Sequence, residues 1–188
     1  MPAAPPAPPP PPEQQLFVGL DPGCCDSSYG VAVATVLSGT ITRVQYDSFK
    51  PRGFNNPSAH SLKVGSTIEI LAPYMRGAEA VFIESFHFDK AKASGANTSF
   101  YMRAAGHAAA HQAGATSTEV NFSSWGQTFP KQGSGDKRTA GPSLLNRFGI
   151  AVPACNDAID AICIVLHELV QVRGLALSAT AFELFSAP

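Results

Sequence analysis

The chain has no strong excess of either charge, few charged side chains and no long apolar run. Lys and Arg number 13 and Asp and Glu number 14, which gives a net charge of -1 over 188 residues. No apolar stretch is long enough to cross a bilayer, and the N-terminus lacks the basic and apolar regions of a secretion signal. We therefore expect a soluble intracellular protein. Proteins that bind nucleic acid usually carry an excess of positive charge, which this chain lacks.

The sequence also lacks the cysteine and histidine spacings of common zinc sites. The four cysteines include no CxxC pair, which argues against zinc and against a disulfide scaffold, so we interpret them as small thiols in a reducing compartment. They are Cys24, Cys25, Cys155 and Cys163. His107 and His111 are four residues apart, but no third ligand stands out nearby, and we interpret this pair as incidental.

What is present indicates one α/β domain. Hydrophobic residues make up 45% of the chain, which is enough for a single full core. Residues 1–12 consist of Met, three Ala and eight Pro, a composition that favours an extended polyproline tail. We predict a disordered leader at 1–14, a folded domain at 15–175 and a C-terminal tail at 176–188.

The apolar pattern predicts strands and helices in alternation. Three successive strands at 16–20, 29–36 and 40–49 are expected to pair antiparallel, with Ser38 and Gly39 in the second turn. The remaining predicted elements are helices at 58–75 and 98–112, strands at 80–83 and 118–122, a mobile surface loop at 123–142, and a last helix with Asn156 as its N-cap.

Four carboxylates stand where predicted elements begin or end. Asp21 and Glu84 each end a strand, so both are expected at the carboxyl edge of the sheet, where α/β proteins place their ligands. Asp157 and Asp160 are three residues apart at the head of the last helix and share one of its faces. Each acid alone has an ordinary explanation as a turn residue, a cap or a solvated strand end. Together they predict a site for two divalent cations and cleavage of a phosphodiester by an activated water.

The order of these motifs resembles that of RuvC-like Holliday junction resolvases, which belong to the RNase H-like superfamily. The segment FVGLDPG at 17–23 is similar to the first motif of that family, FIE at 82–84 to its second, and NDAIDA at 156–161 to its closing motif. Successive acids lie 63, 73 and 3 residues apart, close to the family pattern. The resemblance implies an α/β fold of the RNase H-like type, a five-stranded mixed sheet with helices on both faces.

The resemblance also implies an activity. The expected protein is a metal-dependent, structure-selective endonuclease that acts as a homodimer on a four-way DNA junction. It would nick two strands symmetrically and leave 5′ phosphates. The four acids would bind two Mg²⁺ ions, for which Mn²⁺ can substitute, and Lys137 matches a family lysine that stabilises phosphate near the site.

The DNA-binding face is expected between residues 85 and 150, which hold seven basic residues against three acidic ones. In the family, the segment after the second motif reaches into the junction, and stacking of a base on an aromatic ring there is worth roughly 1 to 3 kcal/mol. His87 stands where the family often has a Phe wedge, and Gly126 stands where it has a loop lysine. The predicted DNA-binding residues are Phe86, His87, Lys90, Lys92, Lys131 and Arg138.

Two other functions are compatible with these patterns. A junction-binding protein of the same fold that no longer cuts would keep the fold and the DNA-binding residues. A phosphotransferase of the actin and sugar-kinase type also begins with a strand-end Asp and a Gly-rich turn. Its two domains require a much longer chain, so length argues against it.

Overall fold

One mixed β-sheet forms the centre of the fold. A computed structural model describes residues 13–23, 28–53, 56, 58–85, 93–121, 123–125, 155–178 and 182–184. The strands are β1 (Gln14–Asp21), β2 (Tyr29–Leu37), β3 (Thr40–Phe49), β4 (Ala78–Glu84), β5 (Thr116–Val120), β6 (Ala176–Leu177) and β7 (Phe182–Leu184). The helices are α1 (His60–Met75), α2 (Ala93–Gln112) and α3 (Asn156–Leu166), and α3 continues as a π-helical segment, His167–Val172.

The strand order is β5-β4-β1-β2-β3-β6, and β7 also pairs with β3. The first three strands are antiparallel neighbours, as predicted, whereas β4 is parallel to β1 and β5 is parallel to β4. The predicted α/β class with a mixed sheet is therefore confirmed. The predicted number of five strands was wrong, because β6 and β7 extend the sheet at the edge formed by β3. Both lie in the segment predicted as a tail, and the domain bounds stay a prediction.

Helices cover both faces of the sheet. Strand side chains alternate between the faces, so Phe17 and Phe82 pack with α3 in one apolar cluster. Val18 and Val81 lie in the cluster on the opposite face, together with buried residues of α1 and α2. The side of the sheet covered by α3 is called the α3 face below.

Several local predictions differ from the structure. α2 begins at Ala93, five residues before its predicted start. β5 spans Thr116–Val120, two residues earlier than predicted. Asn156 was predicted as the N-cap of the last helix, but Cys155 takes that position, because its backbone is extended and Asn156 is already helical. The predicted surface loop was wrong for its first residues, since 123–125 form a helical turn and the large ring of Trp125 is fully buried. Within the described parts of the chain, no helix is long and apolar enough to cross a membrane.

Candidate active site

The strand-end acids Asp21 and Glu84 lie side by side. The parallel pairing of β1 and β4 sets Leu20 opposite Ile83, so the next residues of the two strands are adjacent at the carboxyl edge of the sheet. Alternation from Phe17 and Phe82 places both acids on the α3 face. The sequence predicted this adjacency from the ends of two apolar runs.

Two glycines allow α3 to approach that face closely. A Cβ added to Gly19 of β1 would lie 2.4 Å from the carbonyl oxygen of Ala161, and one added to Gly30 of β2 would lie 1.9 Å from the carbonyl oxygen of Asp157. Gly30 is also the register partner of Asp21. The backbone of α3 at Asp157 therefore lies against β2 next to Asp21. Any side chain larger than that of glycine at position 30 would prevent this contact.

The charges of the other three acids act on Asp21. Asp21 is only 5% exposed. Its burial raises the pKa of its carboxyl group well above the usual value, and the negative charges of Glu84, Asp160 and Asp157 raise it further, while a hydrogen bond from the Gly23 N–H opposes the shift. The four acids predicted from the sequence thus surround one region of concentrated negative charge.

Neighbouring groups report the same negative potential. Burial, and then the charge of Asp21, raises the pKa of Tyr29. Burial, and then the charge of Asp160, raises the pKa of Cys163 in α3. Each shift has the sign expected for an acid beside an anion, because a second negative charge there is unfavourable. Both groups thus lie close enough to the acids for the negative charge to add to the effect of burial.

Asp157 is held by a serine that the sequence did not single out. The Ser28 hydroxyl donates a hydrogen bond to Oδ2 of Asp157 at 2.7 Å and also contacts Sγ of Cys155 at 3.1 Å. Partial burial acts to raise the pKa of the Cys155 thiol, but hydrogen-bond contacts with Ser28 and Ser48 and with two backbone N–H groups of α3 outweigh it, and the pKa is lowered. Polar contacts therefore hold the side chains of Cys155 and Asp157 in place at the N-terminus of α3.

The donor set of this site fits a hard divalent cation. Carboxylate oxygens are the ligands that Mg²⁺ and Mn²⁺ prefer. A cation would offset the repulsion from the other acids, which adds to the effect of burial in raising the pKa of Asp21. The acids do not form a closed coordination shell, since among the described residues no three side chains of His, Cys, Asp or Glu are grouped closely enough to hold an ion. What the structure brings together is four negative charges within electrostatic range.

The other predicted site residues all lie outside the described parts of the chain. These are Lys137, assigned to phosphate stabilisation, and the DNA-binding residues Phe86, His87, Lys90, Lys92, Lys131 and Arg138. Of the basic residues expected on the DNA face, the structure describes Arg103, which forms an ion pair with Glu119. The roles of all these residues stay predictions.

The histidine pair on α2 has ordinary polar surroundings. His107 contacts the hydroxyl of Ser117 through Nδ1 at 2.9 Å and the carboxylate of Glu119 through Nε2 at 3.4 Å. His111 is exposed one turn further along the helix. These contacts join α2 to the edge strand β5.

Sequence reasoning missed the residues that assemble the site. Gly19 and Gly30 lie inside strands, and an interior glycine in a strand often marks a close approach of another backbone, so that signal was present. Ser28 carried no comparable signal, because its partner lies 129 residues away. Together with the sheet order and the strand-end acids, these contacts define an α/β protein with a cluster of acids at the carboxyl edge of its mixed sheet.

Comparison with solved structures identifies the form of that fold. RuvC of Thermus thermophilus in complex with a Holliday junction substrate matches with a TM-score of 0.58 and 19% identity, over 85% of this chain and 96% of that one. A second T. thermophilus RuvC structure matches with a TM-score of 0.58 and 21% identity, over 86% and 98%. The yeast mitochondrial Holliday junction resolvase Ydc2 matches with a TM-score of 0.52 and 12% identity, over 84% and 80%. Comparison of the sequence with family models and with curated proteins finds no match. The chain has the RuvC-like fold.

Proposed function

We propose that this protein is a metal-dependent, structure-selective DNA endonuclease that resolves four-way junctions. It acts as a homodimer, with one active site per subunit, and makes paired symmetric nicks that leave 5′ phosphates. The catalytic residues are Asp21, Glu84, Asp157 and Asp160, with Lys137 beside the phosphate. The observation that carries this proposal is the buried Asp21, surrounded by the charges of three further acids at the edge of a RuvC-like sheet.

The fold supports the choice of substrate. One structural neighbour is RuvC bound to a Holliday junction substrate, and another is a mitochondrial Holliday junction resolvase. These two structures match over 85% and 84% of this chain. At identities of 12% to 21% the similarity shows only the fold. The proposed substrate is therefore inferred from the fold and the acidic site together.

In the proposed mechanism the four acids would hold the cations and Lys137 would act on the phosphate. Cations bound between Asp21, Glu84, Asp157 and Asp160 would lower the pKa of a water and neutralise charge on the departing 3′ oxygen. The side chain of Asp21, held by β1 and by the Gly23 N–H, fixes the centre of the site. Lys137 neutralises charge on the scissile phosphate. Burial under α3 limits water around Asp21, which strengthens every electrostatic interaction there.

Glu84→Gln is expected to reduce junction cleavage by at least about 10²-fold, because it removes one anionic ligand without changing side-chain size. A labelled synthetic four-way junction, incubated with the protein and Mg²⁺, gives nicked duplexes on a denaturing gel. A cruciform plasmid tests the homodimer, since two sites acting in one binding event give linear product before nicked circles accumulate.

Glu79→Gln is the matched control. Glu79 lies at the opposite end of β4 and forms an exposed ion pair with Arg173 at 3.9 Å, so its loss is expected to change stability and cleavage little. Full cleavage by Glu84→Gln would rule out the assigned role of Glu84.

The alternative function is junction binding without cleavage. It is favoured by one observation, the absence, within the described residues, of three metal-ligating side chains grouped around one point. Tight and selective binding of the junction by the wild-type protein, with no nicks in either Mg²⁺ or Mn²⁺, would establish that alternative and exclude the nuclease.

Replacing Lys90 and Lys92 together by Ala is expected to weaken junction binding and to flatten its salt dependence. Each lost phosphate contact lowers the slope of log K against log salt by about 0.9, so the pair lowers it by nearly 2. Fluorescence anisotropy from low to physiological salt, in the Glu84→Gln background to prevent cleavage, measures the slope. Arg43→Ala, an exposed change in the middle of β3, is the control. An unchanged slope in the double variant would remove both lysines from the DNA-binding face.

A further inference from the structure

Ser28, Cys155 and Asp157 form a small polar cluster at the head of α3. The Ser28 hydroxyl lies 2.7 Å from Oδ2 of Asp157 and 3.1 Å from Sγ of Cys155. The sulfur lies 3.7 Å from the same carboxylate oxygen. The three side chains thus contact one another in a triangle beside the candidate active site, and only Asp157 has a role in the proposed chemistry.

The single proton of the Ser28 hydroxyl belongs to the contact with Asp157. A carboxylate only accepts hydrogen bonds, and a bond from a hydroxyl to a charged acceptor is shorter and stronger than one to a neutral sulfur. The distance of 2.7 Å agrees with a charge-assisted bond. The Cys155 thiol contacts the Ser28 oxygen and donates to Oδ2 of Asp157 at 3.7 Å, so Ser28 and Cys155 both orient the carboxylate of Asp157.

The backbone position of Ser28 is fixed by β2, the strand on which α3 packs at Asp157. It directly precedes β2, and two residues later Gly30 pairs with Asp21 and lies beneath the backbone of Asp157. The short segment 28–30 therefore contacts Asp21 through the sheet, the Asp157 backbone through Gly30 and the Asp157 carboxylate through Ser28. Free rotation of that carboxylate is restricted by a group anchored to the same sheet as Asp21.

We propose that Ser28 is a positioning residue, which holds the carboxylate of Asp157 in the orientation that binds a divalent cation, and that Cys155 supports it. The inference rests on the proposed function, because it assigns Asp157 to the metal site. Ser28 contacts neither DNA nor the cation in this role. Hydrogen-bond partners of metal-ligating groups typically account for about 10- to 100-fold in metal affinity or activity.

Ser28→Ala is therefore expected to raise the Mn²⁺ concentration needed for half-maximal stabilisation by about 10-fold or more. The full chain is titrated with MnCl₂ and its melting temperature is followed, since a cation that binds only the folded state raises that temperature with concentration. Ser28→Thr, which keeps the hydroxyl, restores the midpoint, and Ser117→Ala on β5 leaves it unchanged. The melting temperature in EDTA separates this effect from a loss of fold, because a positioning role leaves it near the wild-type value.

Cleavage of the four-way junction at varied Mg²⁺ gives the second readout. A positioning residue raises the Mg²⁺ requirement of Ser28→Ala while saturating Mg²⁺ restores most of the rate. If wild-type protein is stabilised by Mn²⁺ and Ser28→Ala has the same midpoint, Ser28 has no such role. If the Mn²⁺ midpoint shifts in Ser28→Ala but neither the wild-type protein nor any variant cuts junctions, the positioning role stands and the proposed nuclease fails. Absence of any Mn²⁺ effect on wild-type protein overturns both.

Discussion

Asp21→Asn is expected to abolish the proposed junction cleavage and to raise the melting temperature of the metal-free protein. Cleavage falls by at least about 10³-fold, because the neutral amide removes the central anion of the site. Stability rises, because Asp21 is buried and surrounded by the charges of Glu84, Asp160 and Asp157. The amide oxygen still accepts the hydrogen bond from the Gly23 N–H. A gain of about 1 kcal/mol or more corresponds to roughly 2–4 °C in a domain of this size.

The sign of the pH dependence follows from the raised pKa of Asp21. A carboxyl group with a higher pKa in the folded state takes up protons on folding, so it destabilises the fold when it is ionised. That destabilisation grows as pH rises from the ordinary value of 3.8 through the raised pKa, and it disappears at lower pH, where both states are protonated. The advantage of Asp21→Asn is therefore largest at neutral to alkaline pH and vanishes in acid.

Thermal melts across that pH range in EDTA, with Glu79→Gln alongside, measure the effect. Mn²⁺ is expected to reduce or reverse the difference, since it stabilises the wild-type site and binds the variant less tightly. A wild-type protein that melts above Asp21→Asn in EDTA at neutral pH would show that the charges around Asp21 are already compensated. If the acidic site lowers the stability of the fold, as active sites often do, Asp21→Asn melts above the wild-type protein.

The strand ends and the closing helix could be predicted from the sequence because their signals are local. Apolar runs before Asp21 and Glu84 indicated buried strands, and the parallel register of β1 and β4 then made the acids neighbours. The spacing of Asp157 and Asp160 indicated one helical face, and that helix is observed as α3. Short-range patterns of this kind survive folding because burial enforces them.

Contacts between distant parts of the chain could not be predicted. The depth at which α3 lies on the sheet depends on Gly19 and Gly30 meeting backbone atoms more than 120 residues away. The burial of Trp125 in the α3 cluster contradicted the polar composition of its neighbours. The added strands β6 and β7 are too short to give a periodic signal. Each depends on a partner surface that the local sequence does not encode.

Gly30→Ala is expected to damage both the fold and the site. The new methyl group would meet the carbonyl oxygen of Asp157 at 1.9 Å, its carbonyl carbon at 2.3 Å and the Ala158 nitrogen at 3.0 Å. All three are backbone atoms, so α3 must move away from β2 as a unit. Overpacking of this kind costs about 1–3 kcal/mol, and a displacement of about 1 Å in a catalytic group can cost about 10²-fold in rate. Melting temperature and junction cleavage measure the two effects.

Gly65→Ala separates this steric effect from a general effect of replacing glycine. Gly65 lies inside α1, and nothing lies within 4 Å of the Cβ position. Alanine there favours the helix by up to about 1 kcal/mol, so the melting temperature stays equal or rises and cleavage is unchanged. The same chemical change thus has opposite signs at the two positions. If Gly30→Ala keeps full cleavage and melts with wild-type protein, α3 does not depend on that close contact, and the acids of α3 must reach Asp21 by another arrangement.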